Sequence, residues 1–133
     1  MQPPTYSLDL ARSALPLVRS IAEDRAHVRA ELDGLHAEMA RLRRQAQVPQ
    51  GELNDLHRRT VEAEARLALL VAELAELGLT HEDERTGAVG FPGQMDDDEV
   101  VFVWTPFDDD VDHFRDSGDA PGTRRPLPVP VGT

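Results

Sequence analysis

Apolar residues recur in steps of three and four along two stretches of this chain. In the first, Val18, Ile21, Val28, Leu32, Leu35, Met39 and Leu42 fall on one stripe, broken only by Arg25. In the second, Leu53, Leu56, Ala63, Leu67, Leu70, Leu74 and Leu77 do the same, with Thr60 the lone polar member. A narrow stripe of this spacing predicts a helix that packs against another helix. Between the two lies Gln47-Val48-Pro49-Gln50-Gly51. Pro49 cannot continue a helix, Gly51 permits a reversal, and so short a link makes the two helices antiparallel neighbours. The expected helices span residues 7–46 and 52–78. Folding back about residue 49 sets Leu42 near Leu56, Leu35 near Ala63, Leu32 near Leu67 and Ile21 near Leu77. Leu32, Leu35, Leu67, Leu70 and Leu74 are the predicted interaction seam.

The ends carry their own signals. Ser7 is placed to cap a short leading helix that stops before Pro16, which predicts a break in the first helix near that proline. Gly78 follows Leu77 as a C-terminal stop. Beyond it the period changes. Ala88–Phe91 and Val100–Trp104 read as the two strands of a β-hairpin over residues 86–104, joined by a loop holding Pro92, Gly93 and Asp96–Glu99. A lone hairpin is marginal in water, so it must lean on the helices where residues 14–22 and 70–78 meet. Trp104 anchors the small core expected there, with Phe91, Phe102 and Phe107 around it. Residues 108–116 read as a short helix or loop and 119–133 as a flexible tail, within which Arg125–Pro130 looks like an extended proline-rich segment. The expected architecture is mainly α. It is a single domain over 1–118: a long, coiled-coil-like antiparallel helical hairpin with a small β-hairpin and an irregular acidic C-terminal segment.

Charge sharpens this division. Residues 1–78 hold 12 acids against 10 arginines, whereas residues 79–133 hold 13 against 4. Every one of the 14 basic residues is arginine, and the net charge is −11. So acidic a chain repels phosphate backbones, which disfavours nucleic acid as a partner. Cysteine is absent, which excludes disulfides, thiol catalysis and sulfur-ligated zinc. No run approaches the roughly 18 apolar residues of a membrane span, and the polar opening Met1–Ser7 is no signal peptide. A soluble cytoplasmic protein with no membrane contact is expected.

Three stretches together resemble the prokaryotic family called domain of unknown function 2203. The first is Tyr6–Ala11 continuing to Leu15-Pro16-Leu17-Val18. The second is Leu77-Gly78 followed by Gly87-Ala88-Val89-Gly90-Phe91-Pro92. The third is Val100–Trp104, an acidic stretch and a late Arg124-Arg125-Pro126-Leu127. The resemblance covers roughly residues 6–127 and implies no activity. Against the family's pattern, Gly90 stands where an aspartate is usual, and Asp108 where a glutamate is favoured. Phe114 and Arg115 stand in place of a Trp-His pair, with His113 one step early. A polar or metal site in the family would draw on these three places, of which this chain keeps one, as a shortened acid.

Candidate chemistry is sparse. Asp110 and His113 have the i, i+3 spacing of a carboxylate–histidine ligand pair, and Asp109 and His113 the i, i+4 spacing. Asp108, Asp110 and His113 are therefore the candidate ligands of a divalent metal. Asp24/His27 and Asp33/His36 repeat the spacing, with Asp24, His27 and Asp33 off the apolar stripe and His36 at its edge, where they are expected to face water. Asp96–Glu99 lacks the alternation of a calcium loop. No serine sits in a nucleophile elbow, no glycine-rich phosphate loop precedes a helix, and nothing apolar surrounds the carboxylates to split their pKa values. Arg41, Arg43, Arg44, Arg58 and Arg59 gather into a basic tip at the helical turn, without an aromatic to stack on bases. Apolar residues off the seam, among them Leu69, Val71 and Ala72, would be covered if two hairpins formed a four-helix dimer. The reading is a non-enzymatic module for protein interaction or self-association, a homodimer or a protein complex, with no cofactor. The alternative is a metal-binding protein or metal-dependent enzyme built on Asp108–His113.

Overall fold

The computed structural model describes residues 5–128. Two helices come first, α1 at Leu8–Arg43 and α2 at Gln50–Glu76. Five strands follow: β1 Thr80–Asp83, β2 Ala88–Met95, β3 Asp98–Trp104, β4 His113–Asp116 and β5 Arg125–Pro126. They form one antiparallel sheet in the order β1-β2-β3-β4-β5. The expectation of a mainly α protein with a small β-hairpin is corrected: two helices stand beside a five-stranded sheet. Two-stranded pairing alone is too weak in water, and three further short strands complete the layer that α1 covers.

The helical pair follows from the stripes. Leu32, Leu35, Leu42, Leu56 and Ala63 share one buried cluster, with Leu53, Leu67 and Leu70 packed against it. Thr60, the polar member, is satisfied by donating its hydroxyl to the Leu56 carbonyl at 2.9 Å. Ser7 caps α1 by accepting from the Leu10 N–H. The predicted break at Pro16 is absent, and α1 is continuous through it. Pro16 lies on the exposed face, opposite the buried Leu15 and Val18, so the Arg12 carbonyl it leaves without a helical donor faces water. Gly51 lies inside the first turn of α2 rather than in the reversal, and Pro49 is the residue before that helix. At the other end Gly78 takes φ +82°, with its N–H bonded to the Ala75 carbonyl and that of Leu79 to the Leu74 carbonyl. This is a Schellman stop, and only glycine enters that conformation without cost.

β2 is longer than its apolar run, because Pro92 and Gly93 lie within the strand rather than in the loop. A proline there is tolerated because its missing N–H points toward the side where β1 has already ended. The gap is filled by Tyr6, whose N–H donates to the Pro92 carbonyl at 2.8 Å and whose carbonyl accepts from Gln94. Only two residues, Asp96 and Asp97, then turn the chain, at φ +51° and +69°. The segment 108–116, read as helix or loop, supplies β4. Residues 119–128, read as flexible tail, hold β5 and place Leu127 on the core. Pro130 and the rest of the expected tail, residues 129–133, lie outside the described residues.

One face of the sheet packs on α1 and the end of α2. There Trp104, Phe91, Phe102, Val89 and Val111 meet Ala11, Leu15, Val18, Ile21 and Leu74, as expected for the open end of the helical pair. Phe107 does not join them and is 85% exposed. Its backbone belongs to the turn after Trp104, which turns the ring outward. The opposite, outer face of the sheet is a smaller cluster of Ala88, Val101 and Val103.

Candidate functional site

The acidic segment proposed as a metal site is stitched to its surroundings by arginines. Asp108 accepts from the Thr105 N–H at 3.0 Å and from the Arg124 guanidinium at 2.6 Å. Arg124 also meets His113 Nδ1 at 2.8 Å. Asp110 lies elsewhere, 3.5 Å from Arg12, whose guanidinium also donates to the Val111 carbonyl. Burial opposes the ionisation of Asp108, but its bonds from Thr105 and Arg124 outweigh that and hold it below the usual carboxylate range. The structure thus brings Asp108 and His113 to one arginine and leaves Asp110 apart. Among the described residues no group of three histidine, aspartate or glutamate side chains has metal-binding geometry. Arg19 completes the packing by lying over the Trp104 ring at 5.3 Å and bonding the Asp109 carbonyl. The indole N–H donates to the Asp108 carbonyl at 3.1 Å.

The outer face of the sheet carries a pair that periodicity did not reveal. Glu82 on β1 is bonded by Arg115 on β4, Nη2 to Oε2 at 3.0 Å, with the two side chains 0% and 8% exposed. The carboxylate spans β2 over Gly90. A Cβ there would lie 2.3 Å from Thr80 Oγ1, 2.5 Å from Val101 Cγ1 and 3.2 Å from the Glu82 carboxyl carbon. Arg115 further donates to the carbonyls of Asp116, Ser117 and Asp119, and the Gly122 backbone bonds Glu82. The 117–124 connection therefore lies over this face. Burial opposes the Glu82 charge, but the bonds from Arg115 and Thr80 prevail and its pKa is lowered. Every donor here has an acceptor, so the pair is a sealed structural bolt rather than an open reactive group. Of the three places singled out by the resemblance, two, Gly90 and Arg115, meet at Glu82. The third, Asp108, does not.

A second buried arginine is placed differently. Arg25, the polar break in the α1 stripe, is 7% exposed and meets His81 Nδ1 at 3.0 Å. It stands where the end of α2 meets the β1 edge, beside a cavity of about 240 Å³. The irregularity in the stripe was the one sequence signal for it. The pairing with His81 was not legible, because β1 has no apolar alternation.

The rest of the helical pair is open. At the turn, Arg41 is paired with Glu38, and Arg58 with Asp55 and Glu62, while Arg43, Arg44 and Arg59 have no carboxylate within 4.0 Å among the described residues. Of the predicted seam, Leu32, Leu35 and Leu74 are buried and Leu67 and Leu70 half-buried. On the outward side of α2, Val61 and Leu69 are 56% and 66% exposed. A shallow groove of about 380 Å³ runs beside Leu69 between the helices, lined by Asp24, His27, Val28, Arg66 and Glu73. No helix among the described residues is long and apolar enough to cross a membrane.

Comparison with known proteins finds one family. The profile described as "Uncharacterized conserved protein (DUF2203)" matches residues 5–127. No curated protein and no solved structure matches the chain.

Proposed function

We propose, from the premise that this chain belongs to the DUF2203 family of uncharacterised conserved proteins, that it is a non-catalytic interaction module that self-associates through the outward face of α2. One observation carries this reading. Of the 27 residues of α2 only Leu56, Thr60, Ala63 and Leu74 are buried, while Val61, Ala65, Leu69 and Ala72 form an exposed apolar row. Their spacing of four, four and three residues places them on one face, away from the seam that meets α1. A second copy laid antiparallel on this row would build a four-helix bundle with closed two-fold symmetry. Full burial of Leu69 would contribute about 1.5–3 kcal/mol per copy.

The commitment of Asp108, Asp110 and His113 to arginines supports a structural role for that segment over a catalytic one. Light scattering on the purified chain tests the reading. The expected molar mass is that of a dimer, and Leu69→Glu, with helical circular dichroism retained, is expected to yield a monomer. A wild-type chain that remains monomeric at high concentration defeats the proposal.

A further inference from the structure

The described chain buries two arginines, and they are treated in opposite ways. Arg115 is enclosed with a carboxylate and three carbonyls. Among the described residues Arg25 has no carboxylate within 4.0 Å, although eight other arginines do. Its one side-chain partner among the described residues is the His81 ring nitrogen, which accepts a single N–H of the five that a guanidinium carries. None of the remaining nitrogens is sealed from solvent without a partner. Since Arg25 meets His81, and His81 lines the 240 Å³ cavity, the guanidinium head lies at that cavity. Arg25 thus keeps N–H groups in reserve that face solvent at the cavity and that no anion among the described residues takes up.

The remaining lining is Val71, Leu74 and Ala75 from α2 with Leu79 and Val89 from the sheet side, and one polar residue, Thr80, whose hydroxyl is already donated to Glu82. We propose that this cavity binds a small organic acid, its carboxylate on the Arg25 fork and a short hydrocarbon body against Val71, Leu74, Leu79 and Val89. Arginine presents parallel N–H groups that match a planar carboxylate in two bonds. His81 accepts from Arg25 at Nδ1, which places its own proton on Nε2 and leaves the ring neutral. One cation and one neutral ring suit a monoanion. A phosphate would need more donors than this site supplies. The volume is below the roughly 300–1,000 Å³ of drug-sized sites, which keeps the ligand small.

The test is titration of the wild-type full chain with hexanoate, followed by calorimetry and by the ¹⁵N shifts of His81, with hexanol and inorganic phosphate as controls. Saturable hexanoate binding with one ligand per chain is expected, with both controls weaker by at least about tenfold, which is about 1.4 kcal/mol. Arg25→Met removes the binding and Arg25→Lys weakens it. Absence of saturable hexanoate binding overturns the proposal. Equal binding of hexanol removes the role of Arg25, and equal binding of phosphate removes the apolar subsite; either result overturns it as well. Should Arg25→Met fail to fold, the wild-type contrast between hexanoate and hexanol decides alone.

Discussion

Arg115 on β4 holds Glu82 on β1 across the two strands that lie between them, with Gly90 and Val101 beneath the contact. Removing one partner leaves the other as an uncompensated buried charge, whereas removing both leaves a gap that apolar atoms can fill. Arg115→Met is therefore expected to destabilise by about 3–5 kcal/mol in urea unfolding. The double variant Arg115→Met with Glu82→Leu is expected to regain most of that loss. Additive losses in the two single variants and the double would show that the pair is not coupled.

Gly90 is needed for space rather than for backbone freedom. A methyl group there would press on Thr80 Oγ1 and Val101 Cγ1. Gly90→Ala is expected to cost about 1–3 kcal/mol, the range for overpacking. Thermal unfolding of the variant beside Gly34→Ala, whose added Cβ meets nothing within 4 Å, supplies the contrast.

The β2–β3 turn uses two aspartates in the left-handed region, at φ +51° and +69°. That conformation suits Asn-Gly better than Asp-Asp, and the replacement also removes two adjacent negative charges. The pair Asp96→Asn and Asp97→Gly is expected to stabilise by about 1 kcal/mol, read as a higher urea midpoint at unchanged slope. A lower midpoint would show that the aspartates make contacts worth more than the turn geometry.

Acid should lower the stability of the protein in two stages. Burial, then the neighbouring Arg25 charge, lowers the His81 pKa below its usual 6.5, although Asp83 and Glu82 act the other way. The unfolded chain thus takes up that proton first, and stability falls as pH drops below about 6.5 until the folded ring also titrates. Glu82 and Asp108 are held below their ordinary 4.5 and 3.8, so their contribution is present above those values and lost as pH falls through the lowered folded pKa values. Urea midpoints recorded against pH for wild type and His81→Gln test this. Loss of the upper stage alone in the variant is the expected result.

Much of the helical pair was legible in residue order. The stripe from Val18 to Leu42 and that from Leu53 to Leu77 each report one buried face, and Ser7 and Gly78 mark their ends by local chemistry. Pro16 misled because its penalty depends on which face it occupies, and α1 turns it to water. The short strands were hidden for a related reason. Thr80–Asp83 and His113–Asp116 bury alternate polar residues, Glu82 and Arg115, so neither shows an apolar alternation. Asp108, Asp110 and His113 share a ligand-like spacing, but spacing carried no information about Arg12, which reaches Asp110 from 98 residues away, or Arg124, which reaches Asp108 from 16 and His113 from 11.

The linear order of residues alone determined two antiparallel helices meeting along leucines, a strand pair ending at Trp104 and an excess of acid past Gly78. These rest on neighbours within a turn or a pleat, where periodicity is a physical readout of burial. Tertiary structure alone decided that five strands assemble, that Glu82 finds Arg115, and that Arg25 meets His81 with no carboxylate within 4.0 Å among the described residues. Such charges are placed by contacts 33 and 56 residues apart. Only closure of the chain brings those partners together, and desolvation sets the strength of each contact once it has done so.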